Sequence, residues 1–267
     1  MNANQAVWEE ADFTPIAAYM RQSGNEVVQS LGVTPCMRVL DLGCGDGTTA
    51  LPLAQRGAVV LGIDIARNLV AAGKRRAQEA GLSRLQFLEG DACRLEGIPS
   101  NSFDLTLSMF GAMFAPRPFD VAREMVRVTR PGGRIVMGNW IPGDPSFITQ
   151  LRSLSAALLE SPPSDKISPM TWGVETHIDE RFGVAGVSTN NISLVRDTYW
   201  FASPDKTPAD FVASFTRFYE PTFKTAGKGG KLDEFQSRLM ELANTQNRSA
   251  DGSTLIPANY LRVTVSL

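Results

Sequence analysis

The chain of 267 residues predicts an α/β fold: a Rossmann-like, seven-stranded, mostly parallel sheet with helices on both faces and extra helices in the C-terminal half. Three observations carry this expectation. Residues 37–47, Met-Arg-Val-Leu-Asp-Leu-Gly-Cys-Gly-Asp-Gly, lead a short apolar strand into a loop where Gly43, Gly45 and Gly47 alternate. Thr48 to Gln55 can then form a helix, with Thr48 or Thr49 placed to cap its start. Further short apolar runs follow, separated by segments of helical spacing, as an open sheet with crossover helices requires.

In chain order, residues 7–31 place apolar side chains at Val7, Phe13, Ile16, Tyr19, Met20, Val27, Val28 and Leu31, which predicts one or two helices before the first strand. The second strand is Ala58 to Ile63, ending in Asp64, and the third is Leu85 to Leu88, ending in Glu89-Gly90-Asp91-Ala92. A helix over 67–80 turns Lys74, Arg75 and Arg76 to solvent, and another covers 117–129. Ser102 to Ser108 is the fourth strand, and Arg130-Pro131-Gly132-Gly133 turns into the fifth. Beyond Ile141-Pro142-Gly143-Asp144-Pro145, a helix runs from about Ser146 to Leu159, a loop covers Ser161 to Asp165, and Ser168 to Gly173 is irregular. A short helix at 175–182, a sixth strand within Val187 to Phe201, helices near 207–219 and 231–246, and a closing strand from Tyr260 to Leu267 complete the chain. Lys224 to Lys231 reads as a flexible connection. One domain spanning 1–267 is expected, with a helical segment at 1–35, a core at 36–141, insertions and the sixth strand at 142–258, and the closing strand at 259–267.

The glycine loop constrains its ligand. Glycine tolerates positive φ and lets bare backbone approach a nucleotide-like molecule. The spacing here is G-x-G-x-G, not the dinucleotide G-x-G-x-x-G, and Asp41 and Asp46 bracket it. A pyrophosphate would meet like charge there, whereas a ligand with an ammonium and a sulfonium would find the carboxylates favourable. That points to S-adenosylmethionine rather than NAD. Asp64 lies where a carboxylate can accept two ribose hydroxyls, and Asp91 could accept the adenine amino group.

With these residues in view, the chain resembles a class I S-adenosylmethionine-dependent methyltransferase of the quinone-methyltransferase-like branch. The matching elements are VLDLGCGDG at 39–47, GID at 62–64, EGDA at 89–92, FDLTLS at 103–108 and RVTRPGGRI at 127–135, in the family's order and spacing. FGAMFAP at 110–116 resembles a subset of uncharacterised bacterial members. The resemblance implies a sheet whose last strand is antiparallel. It also implies that Asp41, Gly43 and Gly45 line the methionine end, that Asp64 and Ile65 hold ribose and adenine, and that Asp91 and Ala92 edge the adenine. Ser108 and Phe110, at the end of the fourth strand, join this cofactor set. The helical segment before the first strand would lie over the cofactor, with Trp8, Phe13 or Tyr19 as lid residues.

Methyl transfer from a sulfonium needs alignment of the acceptor and exclusion of water, not a fixed triad, so no catalytic residue is assigned. Phe110, Phe114, Trp140 and Trp172 are candidates for an apolar acceptor pocket, and His177, the one histidine, is the candidate general base because imidazole titrates near neutrality. Strand four ends in Ser108-Met109-Phe110-Gly111, not the Asn/Asp-Pro-Pro-aromatic motif of amino-group DNA methyltransferases. No Pro-Cys pair offers the nucleophile of cytosine C5 enzymes, since Pro35-Cys36 precedes the first strand, and no paired-glutamate loop or arsenite-type cysteine set is seen. A formal charge of −2 gives no general affinity for nucleic acid or anionic membrane. The start has neither a basic n-region nor an apolar core, no run reaches the length of a membrane span, and Cys36, Cys44 and Cys93 lack metal-ligand spacing. The expectation is a cytoplasmic enzyme with no metal, acting on a small, fairly apolar metabolite. Cys44 lies in the ligand loop, where alkylation would be expected to block cofactor binding. A silent S-adenosylmethionine-binding partner subunit and an NAD-dependent oxidoreductase are the alternatives.

Overall fold

The protein is described by a computed structural model that covers residues 3–160 and 167–267. Two helices, α1 (Ala3–Glu10) and α2 (Thr14–Ser30), precede the first strand. Then β1 (Arg38–Leu42), α3 (Ala50–Gln55), β2 (Val59–Asp64), α4 (Arg67–Glu79), β3 (Leu85–Glu89), β4 (Phe103–Met109), α5 (Pro118–Val128) and β5 (Thr129–Trp140) alternate. The C-terminal part adds α6 (Phe147–Leu159), α7 (Glu175–Val184), β6 (Ile192–Ser203), α8 (Pro208–Thr225), α9 (Leu232–Gln246) and β7 (Thr254–Ser266).

The strands form one sheet in the order β3-β2-β1-β4-β5-β7-β6. β1 to β5 pair in parallel, and β7 runs antiparallel to both β5 and β6. The chain moves outward from β1 to β3 on one side and restarts with β4 on the other. The crevice beyond the carboxyl ends of β1 and β4 is therefore the topological switch point, where open α/β sheets bind ligands.

Burial follows from sequence period. Val39, Leu40, Asp41 and Leu42 are buried in succession, as a parallel strand covered on both faces requires. On α5, Val121, Ala122, Met125 and Val128 recur at helical spacing and face the sheet. The antiparallel β7 instead alternates buried and half-buried positions. α2 packs on β6, where the Tyr199 hydroxyl donates to the Met20 carbonyl at 2.7 Å and the Trp200 N–H donates to Ser23 Oγ at 3.0 Å.

Several boundaries differ from expectation. α3 begins at Ala50, and Thr49 at its N-cap turns its hydroxyl to Asp41 Oδ2 (2.7 Å) instead of capping. β7 begins at Thr254, earlier than the closing strand expected, because it pairs with all of β6. Arg76 is not on a solvated face: its guanidinium reaches inward to Asp46 at 3.1 Å and to the Asp46 carbonyl at 2.7 Å. The segment after α8 carries local structure: Gly229–Lys231 forms a 3-10 turn, Lys228 Nζ pairs with Glu160 at 2.6 Å and the Lys228 N–H bonds the Phe223 carbonyl. Residues 168–173 include a single 3-10 turn, Pro169–Gly173, and the loop expected at 161–165 lies outside the described residues.

Candidate functional site

The carboxyl ends of β1, β2, β3 and β4 open into a cavity of about 340 Å³. At one end lie Gly43, Gly45, Asp64, Ile65, Asp91 and Ala92. Both glycines adopt positive φ, +69° and +54°, so the loop doubles back with no side chain in the way. The Gly43 and Cys44 N–H groups donate to the Ile63 carbonyl at 2.7 and 3.1 Å, tying the loop to the end of β2. Asp64 completes the tie: Oδ2 accepts from Gly45 N–H at 2.8 Å and Oδ1 from Ala66 N–H at 2.9 Å. Burial nonetheless raises its carboxyl above the ordinary range. Asp91 is held by the Cys93 N–H (2.8 Å) and faces Arg117 at 3.6 Å.

Two of the cofactor candidates do not reach the cavity. Asp41 is buried beneath the loop, 1% exposed, and desolvation raises its carboxyl to about 7. Ser108 is 1% exposed and works as a brace: its hydroxyl donates to the Leu42 carbonyl at 2.6 Å and accepts from the Ala112 N–H at 3.0 Å. Asp46 is also turned away, buried between Arg21 (3.0 Å) and Arg76 (3.1 Å). The carboxylates that face the cavity are Asp64 and Asp91, because the pleat and the loop turn Asp41 and Asp46 into the protein.

Phe110 does line the cavity, in an uncommon backbone state. Its φ is +64°, a left-handed conformation at the exit of β4. The ring lies parallel to Trp140 with centroids 3.6 Å apart, and Tyr199 and Tyr260 meet it edge-on at 4.9 and 5.4 Å. A strained residue in a ligand-facing loop, locked by surrounding rings, is a common feature of functional sites.

Away from the glycine loop the cavity becomes an aromatic chamber. Trp8 from α1, Phe13 before α2, Phe114 after β4 and Phe218 from α8 form a cluster with ring centroids 5.2–5.8 Å apart. Ile148, Leu151 and Arg152 on α6 supply another wall. α1 is fastened across the cleft by polar contacts: Gln5 Nε2 donates to Glu89 Oε1 at 3.0 Å, and Arg67 pairs with Glu9 at 3.0 Å.

Of the acceptor-pocket candidates, Phe114 and Trp140 line the cavity. Trp172 and His177 do not. Trp172 is 1% exposed, stacked under the Arg181 guanidinium at 4.5 Å and packed on Phe182. His177 sits on α7, which packs against α5. Of the lid candidates, Trp8 and Phe13 line the cavity, whereas Tyr19 is buried against Phe211. The walls from α6 and α8 had no sequence motif. Their one signal is apolar spacing on α8, where Phe211, Phe215, Phe218 and Thr222 share a face, and spacing alone does not reveal which cavity a face meets. Among the described residues, no group of three or more His, Cys, Asp or Glu is placed to hold a metal ion, and no helix is long and apolar enough to cross a membrane.

A family profile described as a methyltransferase domain matches residues 40–137. An uncharacterized protein of Mycobacterium tuberculosis is 32% identical over 223 residues, covering 82% of this chain and 77% of its own. A demethylmenaquinone methyltransferase of Beutenbergia cavernae is 35% identical over 143 residues, covering 52% of this chain and 57% of its own. Among solved structures, the YcgJ protein of Bacillus subtilis superposes with a TM-score of 0.58 over 92% of this chain and 98% of its own, at 19% identity.

Proposed function

Because the chain belongs to the class I S-adenosylmethionine-dependent methyltransferases, we propose that it moves the cofactor's methyl group onto a small, apolar or aromatic acceptor. The observation that carries this acceptor class is the continuity of the cavity. The space beside the glycine loop runs without a partition into the chamber of Trp8, Phe13, Phe114 and Phe218.

S-adenosylmethionine supplies a methyl group on a positively charged sulfur whose leaving group is a neutral thioether. The chain's part is binding and alignment. Gly43 and Gly45 offer bare backbone to the amino-acid end, and Asp64 would accept the ribose hydroxyls with the lone pairs left by its two backbone bonds. Ile65 and Ala92 provide apolar contacts for a flat base, with Asp91 at its edge. The aromatic chamber would hold the acceptor, exclude water and present negative ring faces toward the sulfonium. A nucleic-acid acceptor is not part of this reading, since Arg152 is the one cation among the described residues lining the cavity.

Calorimetric titration with S-adenosylmethionine and S-adenosylhomocysteine should give binding by the wild type and loss in Asp64→Ala. A labelled methyl donor incubated with enzyme and a metabolite extract should send label into the small, organic-extractable fraction. Label found only in protein or nucleic acid would overturn the acceptor class.

A further inference from the structure

The acceptor chamber contains one residue that its surroundings do not explain. Ile148, Leu151 and Arg152 occupy one stripe of α6, at i, i+3 and i+4, and all three line the cavity. The first two are apolar, as a helix face turned to an aromatic chamber requires. Arg152 is half-buried there, its guanidinium carbon 5.8 Å from the centroid of Phe114. No hydrogen bond or ion pair joins its guanidinium to any described residue. Its polar neighbours in the wall are Tyr219 and Thr222 of α8, both uncharged side chains. The acids of the cavity, Asp64 and Asp91, belong to the cofactor end and are occupied by backbone N–H groups there.

A half-buried cation facing apolar rings, with no counter-ion among the described residues, loses hydration that no partner there replaces. An anionic oxygen on a bound molecule would supply that partner, in the bidentate geometry the guanidinium favours. A protonated amine in the same place would meet like charge in a chamber of low polarity. Resting on the reading of this chamber as the acceptor site, we propose that Arg152 selects the acceptor: an apolar, aromatic-sized molecule carrying an anionic oxygen, such as a carboxylate, enolate or phenolate. Arg152 is a specificity-determining residue, and it makes the chamber selective against amine acceptors.

Three naphthalene probes of equal size separate charge from shape: 2-naphthoate, 2-naphthalenemethanol and 2-naphthylmethylammonium. Each is titrated into protein saturated with S-adenosylhomocysteine. The wild type should bind the carboxylate at least about tenfold tighter than the alcohol and tighter still than the ammonium. Arg152→Gln should bind carboxylate and alcohol alike, Arg152→Lys should retain part of the preference, and both should bind S-adenosylhomocysteine as the wild type does. A purely structural Arg152 would leave the ratio of carboxylate to alcohol unmoved on substitution. That result overturns the inference, as does equal binding of carboxylate and alcohol by the wild type, or binding of no probe by wild type saturated with S-adenosylhomocysteine. Failure of the wild type to bind S-adenosylhomocysteine itself would instead strike at the reading of the cofactor site.

Discussion

Gly43 and Gly111 face each other backbone to backbone across the switch point. A methyl group on Gly111 would come within 2.2 Å of the Gly43 carbonyl oxygen, and one on Gly43 within 2.6 Å of the Gly111 Cα. The loop after β1 and the loop after β4 are therefore in direct contact, at a distance that only two glycines allow. Gly111→Ala should force the loops apart, destabilising the fold by about 1–3 kcal/mol and weakening S-adenosylmethionine binding. Gly43→Ala should cost more, because it adds the strain of an alanine at φ +69°. Denaturant melts and titration of both variants check this, and wild-type stability in Gly111→Ala would contradict it.

Phe110 reverses a familiar order of substitutions. Its ring is held by Trp140, Tyr199 and Tyr260, so removing it should destabilise the protein in either variant. The backbone at φ +64° favours glycine, so Phe110→Gly should be more stable than Phe110→Ala by about 1 kcal/mol. Thermal denaturation of the two variants side by side gives the sign.

Asp41 makes stability depend on pH in a defined direction. Burial raises its carboxyl from the ordinary 3.8 to about 7, so between those values the folded state holds a proton that the unfolded state has released. More protons bound in the folded state means that this residue's contribution to stability falls as pH rises across that window, by at most about 4 kcal/mol. Asp41→Asn cannot ionise. Whatever its absolute stability, its melting temperature relative to wild type should climb between pH 4 and pH 8. A difference that stays constant over that range would show that Asp41 does not titrate there.

The thiols should divide by burial. Cys36 is exposed, whereas Cys44 and Cys93 are both 5% exposed. Burial, with Asp64 and Asp41 nearby, raises the Cys44 thiol well above its usual range, and burial raises Cys93 to about 11. Iodoacetamide on native protein should modify Cys36 first and leave S-adenosylmethionine binding intact, contrary to what the position of Cys44 in the loop implies by itself. Peptide mapping after short exposure is the readout, and early modification of Cys44 would mean that the loop opens readily.

The glycine loop, the acidic ends of β2 and β3 and the strand periods were legible because they are local. Positive φ at Gly43 and Gly45 and alternating apolar strands depend on residues close in sequence. Which carboxylates face the cavity was not local: Asp41 and Asp46 look as suitable as Asp64 until Thr49, Arg21 and Arg76 are seen to claim them. The same holds for Trp172 and His177, whose place outside the cavity their spacing does not reveal.

The sequence by itself determined the class of fold, the G-x-G-x-G loop and the acidic strand ends beside it, because backbone conformation and side-chain period are encoded within a few residues. Only the tertiary structure decided what lines the aromatic chamber. Trp8, Phe114, Arg152 and Phe218 come from four distant segments, and what brings them to one cavity is the burial of α2, α6 and α8 against the sheet and one another, with α1 laid on α4. Burial of apolar surface is non-directional, so no short stretch of chain records which faces will meet.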